Sequence, residues 1–327
     1  MGAGHRGARA DDGAAPRARC RGAGPAHEDP HDEQMRRPYP GARCAFRECG
    51  RGLRPPRAAV FTNREEQLNM TSDLLSEQRG TTLWVTFNRP ASRNAMTFAM
   101  YHELARLCAE MPTDGSVRAM VIAGAGGKAF AAGTDMTQFR AFDTEQDALD
   151  YEAEIDRVLT AVEQCPVPTV AAVHGACTGG GASIAAACDL RIASEALKFG
   201  FPIARTLGNC LSAGNLARLS DLIGAGRVRE MIFTARLMGA AEAQAAGLIC
   251  EILPDEEALL ARAGALADQL AGMAPLTLRA TKEAMRRNRA ARAPEDSDLI
   301  AMCYMSRDFK HGLEAFLSKS KPEWSGT

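Results

Sequence analysis

The sequence predicts an α/β fold in which strand, strand and helix recur along the chain. Short apolar runs at Ala119 to Ala123, Thr169 to Val173 and Leu190 to Ala193 have the length of buried strands. Between them, apolar residues fall at three- and four-residue spacing, the period of a helix with one buried face. Small-residue, glycine-bearing loops follow the first two runs. This order suits a spiral of β-β-α turns better than a doubly wound sheet.

The elements follow in order. Leu83 to Phe87 alternates as a strand, and Thr97 can cap a helix whose buried face is Met100, Leu104, Leu107, Cys108 and Met111. Ala119 to Ala123 then leads into a loop holding Gly133, Thr134 and Asp135. Asp143 or Thr144 starts the next helix, which buries Tyr151, Ile155, Val158, Leu159 and Val162. After Thr169 to Val173, His174-Gly175 makes a turn and Gly179-Gly180-Gly181 forms a loop opening a small-residue helix from Ser183 to Cys188. From about Asp255 the chain reads as helical and charged. Its last segment, with Leu299, Met302, Cys303, Phe309, Leu313, Phe316 and Leu317, is more apolar than a lone surface helix requires, and subunit packing is one reason.

Three regions result: residues 1–69, a core over 70–254 and a helical region over 255–327. Residues 1–69 hold thirteen Arg, nine Gly and seven Pro but no Lys, Ser or Ile. Such a composition cannot offset the entropy of ordering, so the segment is expected to be disordered. With nine acids and no Ser it is a poor transit peptide, and although its thirteen arginines allow a nucleic-acid arm, the net charge is only +4. A natural start at Met70 is the preferred expectation.

The glycine loop suggests chemistry. A helix start offers unpaired N–H groups and partial positive charge, and glycines let a ligand come close, so an oxyanion is a natural guest at Gly180. A second free amide at Thr134 would complete an oxyanion hole if the fold brought the two together. A tight turn between a buried strand and a buried helix would use the same residues.

Six ordered blocks resemble the crotonase superfamily, the enoyl-CoA hydratases and isomerases: FNRPASRNAM from Phe87, FAAGTD from Phe130, HGACTGGG with CDL, FGFP from Phe199, TARLMGAAEAQAAGLI from Thr234 and DFKHGLEAFLSKSKPEW from Asp308. The resemblance implies a crotonase-like spiral with a C-terminal helical oligomerisation region, assembled as a homotrimer or dimer of trimers. It also implies that Thr134 and Gly180 bind the carbonyl of an acyl-CoA as it becomes an enolate. Coenzyme A would enter as part of the substrate, with no permanently bound cofactor. Its expected contacts are Arg93, Ala132, Asp135 and Lys319.

The chain departs from the family where hydratases carry two glutamates, at Ser183 and Ile203. Hydration needs one group to activate water and one to deliver a proton, and isoleucine can do neither. Crotonyl-CoA hydration should therefore be slow. Arg205, close behind the vacant position, could bind a substrate carboxylate, which would favour a malonyl-type decarboxylase; pairing with an acid or facing solvent is its other reading. A thioester hydrolase on the same fold is a further alternative; the serine-nucleophile form of it, using Ser183 and His174, is disfavoured because GGASIA lacks the last glycine of a nucleophile elbow. A non-catalytic CoA-binding or assembly protein is the alternative of another class. His174 is expected to bond to backbone, and His102 has no evident partner.

Composition bounds the rest. Beyond residue 69 the formal charge is 26 basic against 31 acidic residues, net −5, which gives no general attraction for nucleic acid. No apolar run reaches membrane-span length. The ten cysteines are scattered; Cys108, Cys165, Cys177, Cys188, Cys210, Cys250 and Cys303 read as buried reduced thiols of a cytoplasmic protein, and Cys44 with Cys49 lack a second ligand pair for metal.

Overall fold

The computed structural model describes residues 73–292 and 294–327. The expectations for residues 1–69 and for a start at Met70 lie outside the described residues. Along the chain run β1 (Leu74–Arg79), β2 (Thr82–Phe87), α1 (Phe98–Ala109), β3 (Ala119–Gly124), β4 (Ala129–Ala131), α2 (Glu145–Gln164), β5 (Thr169–Val173), β6 (Ala176–Thr178), α3 (Gly180–Ala187), β7 (Leu190–Ser194) and β8 (Lys198–Gly200). Then follow α4 (Ile203–Thr206), α5 (Ala213–Ile223), α6 (Ala225–Phe233), β9 (Met238–Gly239), α7 (Ala240–Ala245), β10 (Glu251–Leu253), α8 (Glu256–Ala271), α9 (Pro275–Ala290), α10 (Ser297–Tyr304) and α11 (Arg307–Ser318).

Two sheets form, in the orders β1-β2-β3-β5-β7-β10 and β4-β6-β8-β9. In the first, β1 is antiparallel to β2 and every other pair is parallel. In the second, β4, β6 and β8 are parallel and β9 is antiparallel. The pairs β3–β4, β5–β6 and β7–β8 each give one strand to each sheet, which is the expected β-β-α spiral.

The period of two decides where side chains go. On β3, Met120 and Ile122 join the large core with α1, α2 and α3, while Ala119, Val121 and Ala123 face the other way onto Leu259, Ala263 and Leu266 of α8. Each large aliphatic buried here is worth roughly 1.5–3 kcal/mol relative to exposure. Thr97 caps α1 as the sequence predicts, and of the two starts offered for α2 the structure uses Thr144, which forms a reciprocal capping box with Asp147.

Several expectations need correction. β1 was not expected, because its Ser76-Glu77-Gln78-Arg79 stretch is exposed and carries no apolar signal. β4, β6 and β8 are three residues each, too short for periodicity to register. The small-residue helix begins at Gly180 rather than Ser183, so Gly180 and Gly181 belong to its first turn and Gly179 is the cap. Cys250 is exposed and Cys210 and Cys303 are half-buried, so of the seven cysteines only Cys108, Cys165, Cys177 and Cys188 are buried. Leu299, Met302 and Phe316 are about half exposed or more, while Phe309 and Leu313 are buried.

Candidate active site

Parallel pairing of β4, β6 and β8 sets their C-terminal ends side by side, and three loops emerge there together. Ala132 to Asp135 follows β4, Gly179 follows β6, and Phe201 to Ile203 follows β8. Gly179 N–H donates to Gly200 O at 3.1 Å, tying the second loop to the third. The first and second also touch: a Cβ built on Gly179 would lie 3.4 Å from Gly133 Cα.

The block after Phe87 acts as a clamp on the first loop. Ala132 N–H donates to Arg93 O (3.0 Å), Met96 N–H to Gly133 O (2.8 Å) and Asp135 N–H to Met96 O (2.8 Å). This parallel bridge pairs Met96 with the residues on either side of Thr134, so Thr134's own N–H stays outside it. The buried Asn94 fixes the clamp, donating to Ala125 O and Ala129 O and accepting from Arg89 N–H. Asp135 is spent on the loop itself. Burial pushes its carboxyl up, but bonds from Thr137 and the Arg89 guanidinium outweigh that and hold it below the usual range.

The second loop presents the start of α3. Gly180 is its first residue, and its N–H, like that of Thr134, makes no main-chain hydrogen bond among the described residues. At the opposite end of α3 the buried Arg191 guanidinium collects the carbonyls of Ala185 and Cys188. Close approach explains the glycines. A Cβ at Gly181 would lie 2.3 Å from Ala131 O, and one at Gly180 would lie 1.8 Å from Tyr101 Oη and 3.1 Å from Thr134 Oγ1. Thr134 and Gly180 are therefore packed together, across 46 positions of sequence.

The vacant glutamate positions are filled with other contacts. Ser183 donates to Gly179 O (3.3 Å) and accepts from Asn215 Nδ2 (2.7 Å). Neither partner can take its proton, and His174 is elsewhere, its Nε2 within 3.0 Å of Gly127 O. The Ser183–His174 hydrolase pairing thus has no geometry, while the backbone bond expected of His174 is present. Ile203, at the start of α4, is buried.

Polar groups that the sequence did not reveal surround Thr134. Its Oγ1 bonds Tyr101 Oη at 2.9 Å and Tyr151 Oη at 3.0 Å. Next to Tyr151 on α2, the buried Glu152 accepts from Tyr304 O–H at 2.5 Å, and Asn209 Nδ2 donates to the same hydroxyl at 3.2 Å. Burial raises the Glu152 carboxyl from 4.5 to about 7, against the bond from Tyr304. Asn209 Oδ1 and Asn215 Oδ1 are buried with no hydrogen-bond partner. These contacts span 17 to 152 positions, beyond any local pattern. A tyrosine on a buried helix face was the one available signal, since its hydroxyl needs a partner.

Other predicted residues lie apart from this group. The side chains of Arg93, Arg205 and Lys319 are exposed and form no ion pair among the described residues. Arg205 lies in the single turn of the short α4, one residue before its end, and Lys319 closes α11 in a left-handed conformation. α11 packs on α4 and on the turn Met136–Ala141 that follows Asp135. His102, expected to lack a partner, pairs with Glu154 of α2 at 2.9 Å. No helix among the described residues is long and apolar enough to cross a membrane.

Comparison with known proteins agrees with this architecture. The family model for enoyl-CoA hydratase/isomerase matches residues 77–327. A short-chain-enoyl-CoA hydratase from Clostridium acetobutylicum is 31% identical over 256 residues, 77% of this chain and 97% of its own. The human mitochondrial Delta(3,5)-Delta(2,4)-dienoyl-CoA isomerase is 32% identical over 280 residues, 82% of this chain and 84% of its own. Among solved structures, an enoyl-CoA hydratase/carnithine racemase from Magnetospirillum magneticum superposes with a TM-score of 0.63 at 31% identity, covering 79% of this chain and 97% of that one. The chain belongs to the enoyl-CoA hydratase/isomerase family.

Proposed function

We propose that this chain is an acyl-CoA-processing enzyme of the hydratase/isomerase type that holds a thioester oxygen on the amides of Thr134 and Gly180 as an enolate forms. The observation that carries the reading is the packing of these two residues, each with an unpaired N–H, at the C-terminal ends of parallel strands. Each such donor is worth roughly 3 kcal/mol of transition-state stabilisation in acyl chemistry. Coenzyme A comes with the substrate, and the exposed Arg93 and Lys319 are the cations proposed to meet its phosphates. A homotrimer or dimer of trimers would cover the apolar Leu299, Met302 and Phe316.

Chemistry that needs paired carboxylates at positions 183 and 203 is not what this site favours. Ser183 is held by Asn215, and Ile203 has no proton to give. The reading therefore expects slow crotonyl-CoA hydration and chemistry limited by enolate formation. Incubating the protein with a mixed acyl-CoA panel and following mass changes and double-bond position tests it. Turnover of at least one thioester by water addition or bond migration is expected. Binding without any turnover would favour the assembly-protein reading, and carbon dioxide release lost on Arg205→Ala would favour a decarboxylase.

A further inference from the structure

Among the buried groups that this reading leaves unused, three hydroxyls form a chain: Tyr151 Oη, Thr134 Oγ1 and Tyr101 Oη, linked at 3.0 and 2.9 Å. Three hydroxyls carry three protons, and two hydrogen bonds consume two of them. One O–H is left to donate beyond the chain. If Tyr101 donated to Thr134 and Thr134 to Tyr151, the spare proton would fall on Tyr151. The Tyr151 ring is surrounded by Phe98, Phe139, Phe142 and Tyr304, and among the described residues its hydroxyl bonds only Thr134. In the opposite order the spare proton falls on Tyr101, whose oxygen is lodged against Gly180 and beside Thr134; if both tyrosines donated to Thr134, it would fall on Thr134 Oγ1 itself.

We propose that the Tyr101 hydroxyl is a third hydrogen-bond donor to the acyl oxygen, beside the amides of Thr134 and Gly180. The inference rests on the enolate-pocket reading above. Tyr101 is 1% exposed and held on the first helix by core packing, so its hydroxyl is fixed before any ligand arrives. Burial also pushes its phenol above the ordinary range, which keeps the proton on it at neutral pH. A neutral donor already polarises the carbonyl of the bound thioester, and its hydrogen bond strengthens further as enolate charge accumulates.

The carbonyl stretch of bound butyryl-CoA, labelled at the acyl carbon and read by difference infrared spectroscopy, tests this. Wild type is expected to lower the stretch. Tyr101→Phe should lose about a third of that lowering, one donor of three, and reduce kcat by about tenfold or more with little change in KM. 3-Fluorotyrosine at position 101 keeps the shape and fold while making the phenol a stronger acid, so it should lower the stretch further. Tyr151→Phe leaves Thr134 and Tyr101 bonded and should cost less than Tyr101→Phe. Equal losses from Tyr101→Phe and Tyr151→Phe, or no response to fluorination, would mean that the chain only props Thr134, and the proposal falls. If wild type itself leaves the carbonyl unshifted, the enolate-pocket reading falls with it.

Discussion

The two halves of α2 bury carboxylates in opposite ways. Toward its end, Glu163 meets Arg218 at 3.0 Å and also pairs with Arg289, while Arg218 reaches Asp156 at 3.0 Å and Thr160 at 3.3 Å. Near its start, Glu152 is equally buried but has no ion-pair partner among the described residues, only the Tyr304 hydroxyl and amide contacts. A matched ion network fixes the angle between helices. An unmatched carboxyl, two orphaned amide oxygens and a hydroxyl chain do not maximise stability: the chain centres on Thr134, Glu152 and Asn209 meet at Tyr304, and Asn215 holds Ser183. The contrast separates the frame from the working part of the molecule.

The largest expected effect is in the frame. Arg218→Ala leaves the buried Glu163 with Arg289 alone and takes the cation from the partly exposed Asp156, and should cost about 3 kcal/mol in urea unfolding. In the working half, Gly180→Ala places a methyl on the buried Tyr101 hydroxyl and displaces the donor pair, so kcat on a competent thioester should fall by roughly 10²-fold. A retained kcat would mean that the methyl is accommodated without moving the donor pair, against the close Tyr101–Gly180 packing.

Glu152 gives the comparison a pH signature. With its carboxyl at about 7 when folded and 4.5 when free, the folded chain holds a proton in this window that the unfolded chain releases. Its contribution to stability is full below pH 4.5 and is lost as pH rises to about 7, on the order of 3 kcal/mol in all. Glu152→Gln should flatten that fall, read as melting temperature against pH. An unchanged slope would place the proton elsewhere. The smallest effect is expected from Ser183→Ala, which leaves the Asn215 amide unpaired and should cost about 1–3 kcal/mol in stability while preserving turnover. Abolished turnover would make Ser183 a reacting group after all.

How legible this was in the sequence follows from how local each signal is. Strands β2, β3, β5 and β7 and helices α1 and α2 declare themselves through periodicity and caps such as Thr97 and Thr144. Thr134 and Gly180 were recognisable because glycine-bearing loops follow apolar strands, and the family blocks placed them. The partners of those residues were not. Tyr101, Glu152, Asn215 and Tyr304 reach the site through contacts between helices, which no spacing rule records. The three-residue strands β4, β6 and β8 carry the whole arrangement yet are too short to announce it.

A crystal structure with a bound acyl-CoA tests the central claim most directly. The account predicts the thioester oxygen within about 3.2 Å of both the Thr134 and Gly180 amide nitrogens. A thioester seated elsewhere, or an oxygen bonded to neither amide, would contradict it.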